Sequence, residues 1–218
     1  MHTVIINGSP RSNTTSNTKN IINSFLKGYI KKGNTYEIYN IADNTQWEKA
    51  RKAFYSSENI IIATPLFAES LPGILIAFLE SLAINPDDKS RRKLSFILQS
   101  GLFEGCQRKC CEQLLEKIPK FLNCEYAGTL SKGDMFVTFL LPVEKKDVLL
   151  APFESMGELF AEKKSFIGCE FESFRDVEYM SESQAKIWNR ITKFAMYEFA
   201  EYFGCKTDLL GKPYETIK

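Results

Sequence analysis

Short apolar segments alternate with stretches of helical periodicity over residues 1–134, and this alternation restricts the fold more than any other feature. Five segments are predicted to be strands: Val4–Ile6, Tyr36–Ile41, Asn59–Ala63, Leu94–Leu98 and Glu125–Leu130. Several of them are continuous apolar runs, which indicates strands buried on both faces of a sheet. Since short connections join each strand to a helix, the pattern predicts an α/β fold with a parallel sheet covered by helices on both sides.

The chain has 218 residues, enough for one domain with a self-sufficient core. We predict a single domain over 1–218, made of the alternating core at 1–134 and a helical extension at 135–218. The extension is expected to contain helices at Val143–Lys163, where Pro152 could interrupt the helix, and at Ser181–Phe203. An apolar stripe on the second helix favours packing against the core, with a homodimer face as the alternative.

The composition argues against several classes of function. His2 is the only histidine, which argues against hydrolases that pair Ser or Cys with His. The six cysteines form no Cys-x-x-Cys pair, so we expect no metal site. With no signal peptide, the cysteines indicate reduced thiols in a cytoplasmic protein. The net charge of +1 and the lack of a long apolar run predict neither a nucleic-acid nor a membrane partner.

One basic cluster needs a separate interpretation. It consists of Lys89, Arg91, Arg92 and Lys93, next to Asp87 and Asp88. Because charges of both signs are mixed in a short segment, we interpret it as a solvated loop rather than a nucleic-acid patch.

The first predicted strand leads into a loop rich in hydrogen-bonding groups. A loop between the carboxyl end of a parallel strand and a helix N-terminus favours phosphate, because the helix N–H groups and the positive end of the dipole point at the ligand. The candidate phosphate ligands are the side chains of Ser9, Arg11, Ser16, Asn17 and Thr18. Neither the nucleotide P-loop nor the three-glycine dinucleotide motif is present. A polar loop with an ordinary helix N-cap is the alternative interpretation.

The first two strand-to-helix loops resemble those of the flavodoxin-like NAD(P)H-dependent FMN reductase family. The first loop of that family reads Gly-Ser-Pro-Arg followed by Ser-Asn-Thr, as do Gly8–Arg11 and Ser16–Thr18. The second loop of the family reads Pro-Leu-Tyr, then Ser-x-Pro, then a helix with Leu-x-x-Phe-Leu-Glu. The corresponding segments here are Pro65–Phe67, Ser70–Pro72 and Leu75–Glu80, in which Phe67 replaces the tyrosine and lacks its hydroxyl. A proline-bounded helix entry is the alternative.

A third loop, Ser100–Gln107, is similar to the family pattern Ser/Asn-Gly-Phe-x-Glu-x-x-x-Gln, with a solvent-facing loop as the alternative. The resemblance covers roughly residues 3–134. It implies a flavodoxin-like three-layer sandwich with a five-stranded parallel sheet in the order 2-1-3-4-5 and extra C-terminal helices. In such sheets, as in flavodoxin with FMN, the ligand binds at the carboxyl ends of strands 1 and 3.

The resemblance implies FMN as the cofactor and NADH or NADPH as the electron donor. The implied cofactor-binding residues are Ser9, Arg11, Ser16, Asn17, Thr18, Pro65, Leu66, Phe67, Ala68, Ser100, Gly101, Phe103 and Glu104. No catalytic side chain is predicted, because the flavin carries the chemistry.

The implied function is an oxidoreductase that passes electrons to a small acceptor, namely a free flavin, a quinone, or a nitro or azo compound. A flavodoxin-type electron carrier is one alternative, although the nearly neutral charge and the long extension favour an enzyme. A cofactor-free binding module with the same fold is another, since Phe67 and the divergent third loop depart from the family pattern.

Overall fold

The computed structural model describes residues 1–11, 16–82, 91–136, 138 and 141–204. The strands are β1 (His2–Asn7), β2 (Thr35–Asn40), β3 (Asn59–Pro65), β4 (Lys93–Gln99) and β5 (Glu125–Lys132). The helices are α1 (Asn17–Ile30), α2 (Trp47–Ser56), α3 (Gly73–Glu80), α4 (Lys109–Phe121), α5 (Val143–Lys163), α6 (Cys169–Phe174) and α7 (Glu182–Tyr202). Short 3₁₀ turns, Asn44–Gln46 and Gly105–Arg108, precede α2 and α4.

The five strands form one sheet in the order β2-β1-β3-β4-β5, and all of its strand pairs are parallel. The predicted flavodoxin-like sheet is therefore confirmed. Its order reverses between β1 and β3, which are neighbours in the sheet, with Ile5 opposite Ile61. The two most distinctive loops of the sequence leave the carboxyl ends of these two strands, so the fold brings them to the same edge of the sheet.

Successive residues of the strands point to opposite faces, where two separate apolar cores form. Val4 and Ile6 belong to a core with residues of α2, α3 and α4. Ile5 belongs to the other core, built with α1, α5 and α6 and rich in aromatic rings such as Phe25 and Phe160. This alternation produces the three layers of the sandwich.

Helix α5 contributes side chains to the second apolar core, although the alternating part of the domain was predicted to end at residue 134. Its backbone approaches α1 closely enough that Gly28 and Gly157 face main-chain carbonyl groups of the opposite helix. The helix also continues through Pro152 without a break. The residue four positions earlier, Val148, is exposed, so water can hydrate the carbonyl that loses its partner at the proline.

The basic cluster is only partly described, since Asp87, Asp88 and Lys89 lie outside the described residues. For Arg92 the predicted solvated position is wrong, because this side chain is buried. Its guanidinium carbon lies 5.7 Å from the ring centre of Phe54 and 5.5 Å from that of Tyr55. The aromatic rings of α2 thus provide cation–π contacts that replace part of its hydration.

The chain divides into two compact units, Met1–Glu178 and Tyr179–Lys218, and a single domain over 1–218 stays a prediction. The second unit contains α7, which begins with a capping box. The Ser181 hydroxyl accepts a hydrogen bond from Gln184 N, and Ser181 N donates to Gln184 Oε1. Within the described residues, no helix is long and apolar enough to cross a membrane. The packing or dimer role of the α7 stripe stays a prediction.

Candidate active site

A cavity of about 190 Å³ opens beyond the carboxyl ends of β1, β3 and β4. Its lining residues are Ser9, Arg11, Asn17, Thr18, Pro65, Leu66, Phe67, Gln99, Gly101 and Phe136. All of them except Gln99 and Phe136 are among the cofactor-binding residues predicted from the sequence. The three loops recognised in the sequence therefore converge on one cavity, and binding by these residues stays a prediction.

The first loop is closed against β3 at Gly8. The Gly8 N–H donates to Ala63 O at 2.8 Å. A Cβ atom added at Gly8 would lie 2.9 Å from Leu75 Cδ2 and 3.2 Å from Ala63 O. Glycine is needed here because the backbone passes so close to its neighbours.

Beyond Gly8, local hydrogen bonds turn the chain toward the cavity. Ser9 N donates to Asn7 Oδ1 at 3.1 Å, and Arg11 N donates to Ser9 Oγ at 3.3 Å. Short side chains that accept from the backbone two residues later are typical of tight turns. Ser9 and Arg11 are thereby placed on the cavity wall.

Helix α1 begins beside this loop. Ser16 is its N-cap, and the Ser16 hydroxyl accepts from Lys19 N at 3.2 Å. The Ser16 side chain therefore acts as an ordinary helix N-cap, as in the alternative interpretation of this loop, and it does not line the cavity. The first N–H groups of a helix, here those of Asn17 and Thr18, have no acceptor within the helix and favour an anion.

The second loop forms a tight hairpin next to the cavity. Phe67 N donates to Ser70 O at 2.8 Å, and Ser70 N donates to Phe67 O at 2.9 Å. The two residues between them, Ala68 and Glu69, have positive φ angles of 46° and 65°. Leu66 N also donates to Gln99 O at 2.7 Å, which fixes the loop to the end of β4.

This hairpin presents Phe67 at the cavity wall, where the residue is 46% exposed. Ala68 lies at the tip of the turn and does not line the cavity. The ring that stands at the family's tyrosine position is therefore in place for aromatic contacts, without a hydroxyl.

The third loop is held by its own backbone and by the segment after β5. Ser100 N donates to Lys132 O at 3.0 Å, Ser100 O accepts from Met135 N at 2.9 Å, and Ser100 Oγ accepts from Leu102 N at 2.9 Å. These bonds place Gly101 on the cavity wall, whereas the Ser100 side chain serves the loop itself.

Phe103 and Glu104 were predicted near the cofactor, but neither lines the cavity. Their carbonyl groups accept from the buried guanidinium of Arg108, at 3.4 and 3.3 Å. These bonds turn the main chain toward the protein interior. The family pattern identifies the loop but does not reveal the arginine to which it is anchored.

Sequence reasoning missed Gln99 and Phe136. Gln99 is the last residue of β4, and its Nε2 donates to Thr18 Oγ1 at 3.4 Å. Its position at the carboxyl end of a predicted buried strand could have indicated it. Phe136 follows the region of family resemblance, so no sequence signal marked it.

Residues 1–117 match the family model described as NADPH-dependent FMN reductase. The chain belongs to this family. Membership confirms the predicted enzyme class, an NAD(P)H-dependent FMN reductase-like oxidoreductase, with FMN as its cofactor. No match was found among curated proteins.

Solved structures of similar fold include an FMN-dependent NADH-azoreductase from Bacillus anthracis in complex with FMN. It is 17% identical, with a TM-score of 0.56, and the match covers 75% of this chain and 99% of that one. An NAD(P)H:quinone oxidoreductase from Methanothermobacter marburgensis is 11% identical, with a TM-score of 0.57 and coverages of 75% and 96%. General stress protein 14 of Treponema denticola, in complex with FMN, is 12% identical, with a TM-score of 0.56 and coverages of 75% and 99%.

The cavity of this reductase fits the chemistry of FMN, which combines an anionic phosphate, a hydroxylated chain and an apolar ring system. The hydroxyls of Ser9 and Thr18, the Arg11 guanidinium and the start of α1 suit the phosphate, while Pro65 and Phe67 suit the ring. The cavity is smaller than the roughly 300–1,000 Å³ of most ligand pockets. A nucleotide-sized cofactor would therefore be only partly enclosed.

One carboxyl group near the cavity has a strongly altered pKa. Burial, reinforced by the charge of Asp176, raises the pKa of Asp134 to about 6, although Lys132 opposes the shift. Asp134 stands between Gly133, which is bonded to Asp176, and Met135, which is bonded to Ser100. Asp134 therefore lies in the main-chain segment that leads to Phe136 on the cavity wall.

Proposed function

We propose that this reductase binds FMN in the cavity between the three loops and passes electrons from NADH or NADPH to a small planar acceptor. The acceptor is a free flavin, a quinone, or a nitro or azo compound. The observation that carries the proposal is the cavity itself, which places a helix N-terminus and hydroxyl groups beside the exposed rings of Phe67 and Phe136. The azoreductase and quinone oxidoreductase of similar fold support this acceptor class.

In this scheme the flavin supplies the electron transfer, and the protein binds and orients it. We assign Ser9, Arg11 and Thr18, together with the first N–H groups of α1, to the phosphate. The apolar wall of Pro65, Leu66 and Phe67 would contact the ring system. No side chain need transfer a proton.

The first test is the visible spectrum of the purified protein after FMN is added and the excess removed. We expect flavin absorption at about one FMN per chain, bleached by NADH or NADPH and restored by an acceptor. Retained flavin without bleaching would favour an electron carrier. A colourless protein would contradict flavin binding and favour a cofactor-free module.

Arg11→Ala tests the phosphate assignment. Loss of a charge-assisted bond should weaken FMN binding by about 1.5–3 kcal/mol. Lys52→Ala is the control, because it removes a positive charge from a side chain that is 76% exposed on α2, and should leave FMN affinity unchanged. Equal FMN affinity in both variants would remove Arg11 from the site.

We also propose a homodimer and a cytoplasmic location, with neither nucleic acid nor membrane as a partner. An apolar groove of about 410 Å³ between α3 and α4 supports the dimer, since it includes the exposed side chains of Ile76, Leu114 and Phe121. Phe121→Asp should then convert dimers to monomers in light scattering.

Free thiols such as Cys110 and Cys169 are in keeping with a reducing compartment.

A further inference from the structure

The side-chain amide of Asn17 is already engaged with the protein at the edge of the cavity. Its Nδ2 donates to Met135 O at 2.6 Å and to Phe136 O at 3.2 Å. The opposite orientation of the amide would place Oδ1 against two carbonyl oxygens, so these contacts fix the assignment of the two atoms. Oδ1 is buried and has no hydrogen-bond partner among the described residues.

This arrangement changes the role predicted for Asn17. Ionised phosphate oxygens accept hydrogen bonds, and the donors of the Asn17 amide are directed at carbonyl groups. The remaining amide atom is an acceptor, which suits a hydroxyl of a ligand and not a phosphate. The main-chain N–H of Asn17, at the start of α1, is the part of this residue that suits an anion.

The segment that Asn17 contacts forms one wall of the cavity. Met135 N donates to Ser100 O at 2.9 Å, so the segment is also bonded to the third loop. A Cβ atom added at Gly101 would lie 3.0 Å from Phe136 Cβ and 3.4 Å from Phe136 Cδ2. The Phe136 side chain therefore packs against Gly101. The residue is 36% exposed and lines the cavity.

We propose that Asn17 is a positioning residue that holds the main chain at Met135–Phe136, and that Phe136 bounds the flavin and determines the part of its affinity that is independent of phosphate. The proposal rests on the proposed function, since it requires the cavity to hold a flavin. It adds a specificity residue outside the region of family resemblance.

Affinities for FMN and for riboflavin, which lacks the phosphate, distinguish a phosphate ligand from a positioning residue at Asn17. We expect Asn17→Ala and Phe136→Ala to weaken both ligands by the same factor, about five- to tenfold, as the loss of one or two neutral contacts implies. Arg11→Ala should weaken FMN alone. Ser24→Ala is the matched control. Ser24 lies on the same helix, and its Oγ donates at 2.7 Å to Leu150 O, which does not line the cavity.

Titration by quenching of flavin fluorescence provides these affinities. If Asn17→Ala weakens FMN and leaves riboflavin unchanged, Asn17 is a phosphate ligand and the proposal is wrong. Because Phe136 is partly exposed, Phe136→Ala should fold and test the proposal even if the Asn17 variant does not.

The double variant tests whether Asn17 acts through Phe136. If it does, Asn17→Ala combined with Phe136→Ala should bind both flavins about as weakly as Phe136→Ala alone. Effects that multiply would show that Asn17 contacts the flavin directly, for example through Oδ1, and would overturn the proposal that it acts through Phe136.

Hydrogen exchange of the flavin-free protein tests the positioning role without any ligand. The Met135 N–H, bonded to Ser100 O, should exchange about tenfold faster in Asn17→Ala than in the wild type or in Ser24→Ala. Unchanged exchange would overturn the positioning role even if FMN binds. If the wild type binds neither flavin, the proposed function and the role of Phe136 fail together, and the exchange rate still decides the role of Asn17.

Discussion

Arg108 and Asp176 form a buried ion pair, with Arg108 Nη2 lying 2.8 Å from Asp176 Oδ2 and side chains that are 1% and 4% exposed. Asp176 Oδ2 also accepts from Gly133 N at 2.6 Å, and Asp176 Oδ1 lies 3.0 Å from Lys132 Nζ. Asp176 therefore ties the segment after α6 to the end of β5.

The rest of the Arg108 guanidinium binds strand β5 and the third loop. Its Nε donates to Ser131 Oγ at 3.0 Å, and its Nη1 contacts the carbonyl oxygens of Leu102, Phe103 and Glu104 at 3.2 to 3.4 Å. Nearly every donor of this buried cation thus has an acceptor, as burial of a charge requires. The pair fixes the third loop, which contains Gly101 on the cavity wall.

Asp176→Asn should destabilise the protein by about 3–5 kcal/mol, because it leaves the Arg108 charge buried without its counter-ion. Glu178→Gln is the control, since it removes a carboxylate that pairs with Lys109 at 2.7 Å at the surface. That change should lower the free energy of unfolding by less than about 1 kcal/mol. Urea unfolding measures both, and similar losses for the two variants would contradict the importance of the buried pair.

The sheet and the first two loops could be predicted because their signals are local. Apolar runs mark strands such as β1 and β3, and each loop directly follows its strand. Arg108 could not be recognised, because an arginine at the start of an amphipathic helix is normally solvent-exposed and its partner lies 68 residues away. Phe136 was missed for the same reason, since its place in the cavity depends on contacts with Asn17 and Gly101.

The predicted boundary at residue 134 also shows that local sequence signals do not reveal long-range packing. The alternation of strands and helices ends near residue 134, so α5 was predicted as an extension. Its place beside α1 depends on Gly28 and Gly157, which allow the two backbones to approach. A glycine within a helix indicates a weak helix position from sequence alone, and only the packed structure shows which helix lies against it.

Gly28→Ala should destabilise the protein by about 3 kcal/mol or more, because the added Cβ would lie 1.9 Å from Glu154 O and the two helices would have to separate. Gly73→Ala is the matched control at the start of α3, where an added Cβ meets nothing within 4 Å. It should be neutral or stabilise by about 0.4–1 kcal/mol. Thermal and urea unfolding measure both, and a tolerated Gly28→Ala would contradict the close α1–α5 contact.

The hairpin at Phe67 and Ser70 holds Ala68 in a left-handed conformation, with φ at 46°, that is unfavourable for a residue with a Cβ. Ala68→Gly should therefore stabilise the protein by about 1 kcal/mol. Ala77→Gly, the same substitution at an exposed position within α3, should destabilise it by about 1 kcal/mol. Opposite signs in unfolding experiments would confirm the strain, and equal signs would contradict it.

Asp134 should make stability depend on pH. Its pKa is raised from 3.8 to about 6, so the folded protein holds this proton more tightly than the unfolded chain does. The contribution to stability is complete below about pH 4 and is lost as pH rises through 6. The loss amounts to about 1–2 kcal/mol, because the group is only partly buried and water weakens the effect of its charge.

Asp134→Asn tests this dependence, since asparagine is neutral at every pH and tolerates the positive φ of 59° at this position. The variant should be more stable than the wild type by about 1–2 kcal/mol at pH 8 and equally stable at pH 4. Asp43→Asn is the control, because hydrogen bonds from Thr45 and Gln46 lower the pKa of Asp43. It should therefore show no gain at pH 8. A stability difference for Asp134→Asn that does not change between pH 4 and pH 8 would contradict the raised pKa.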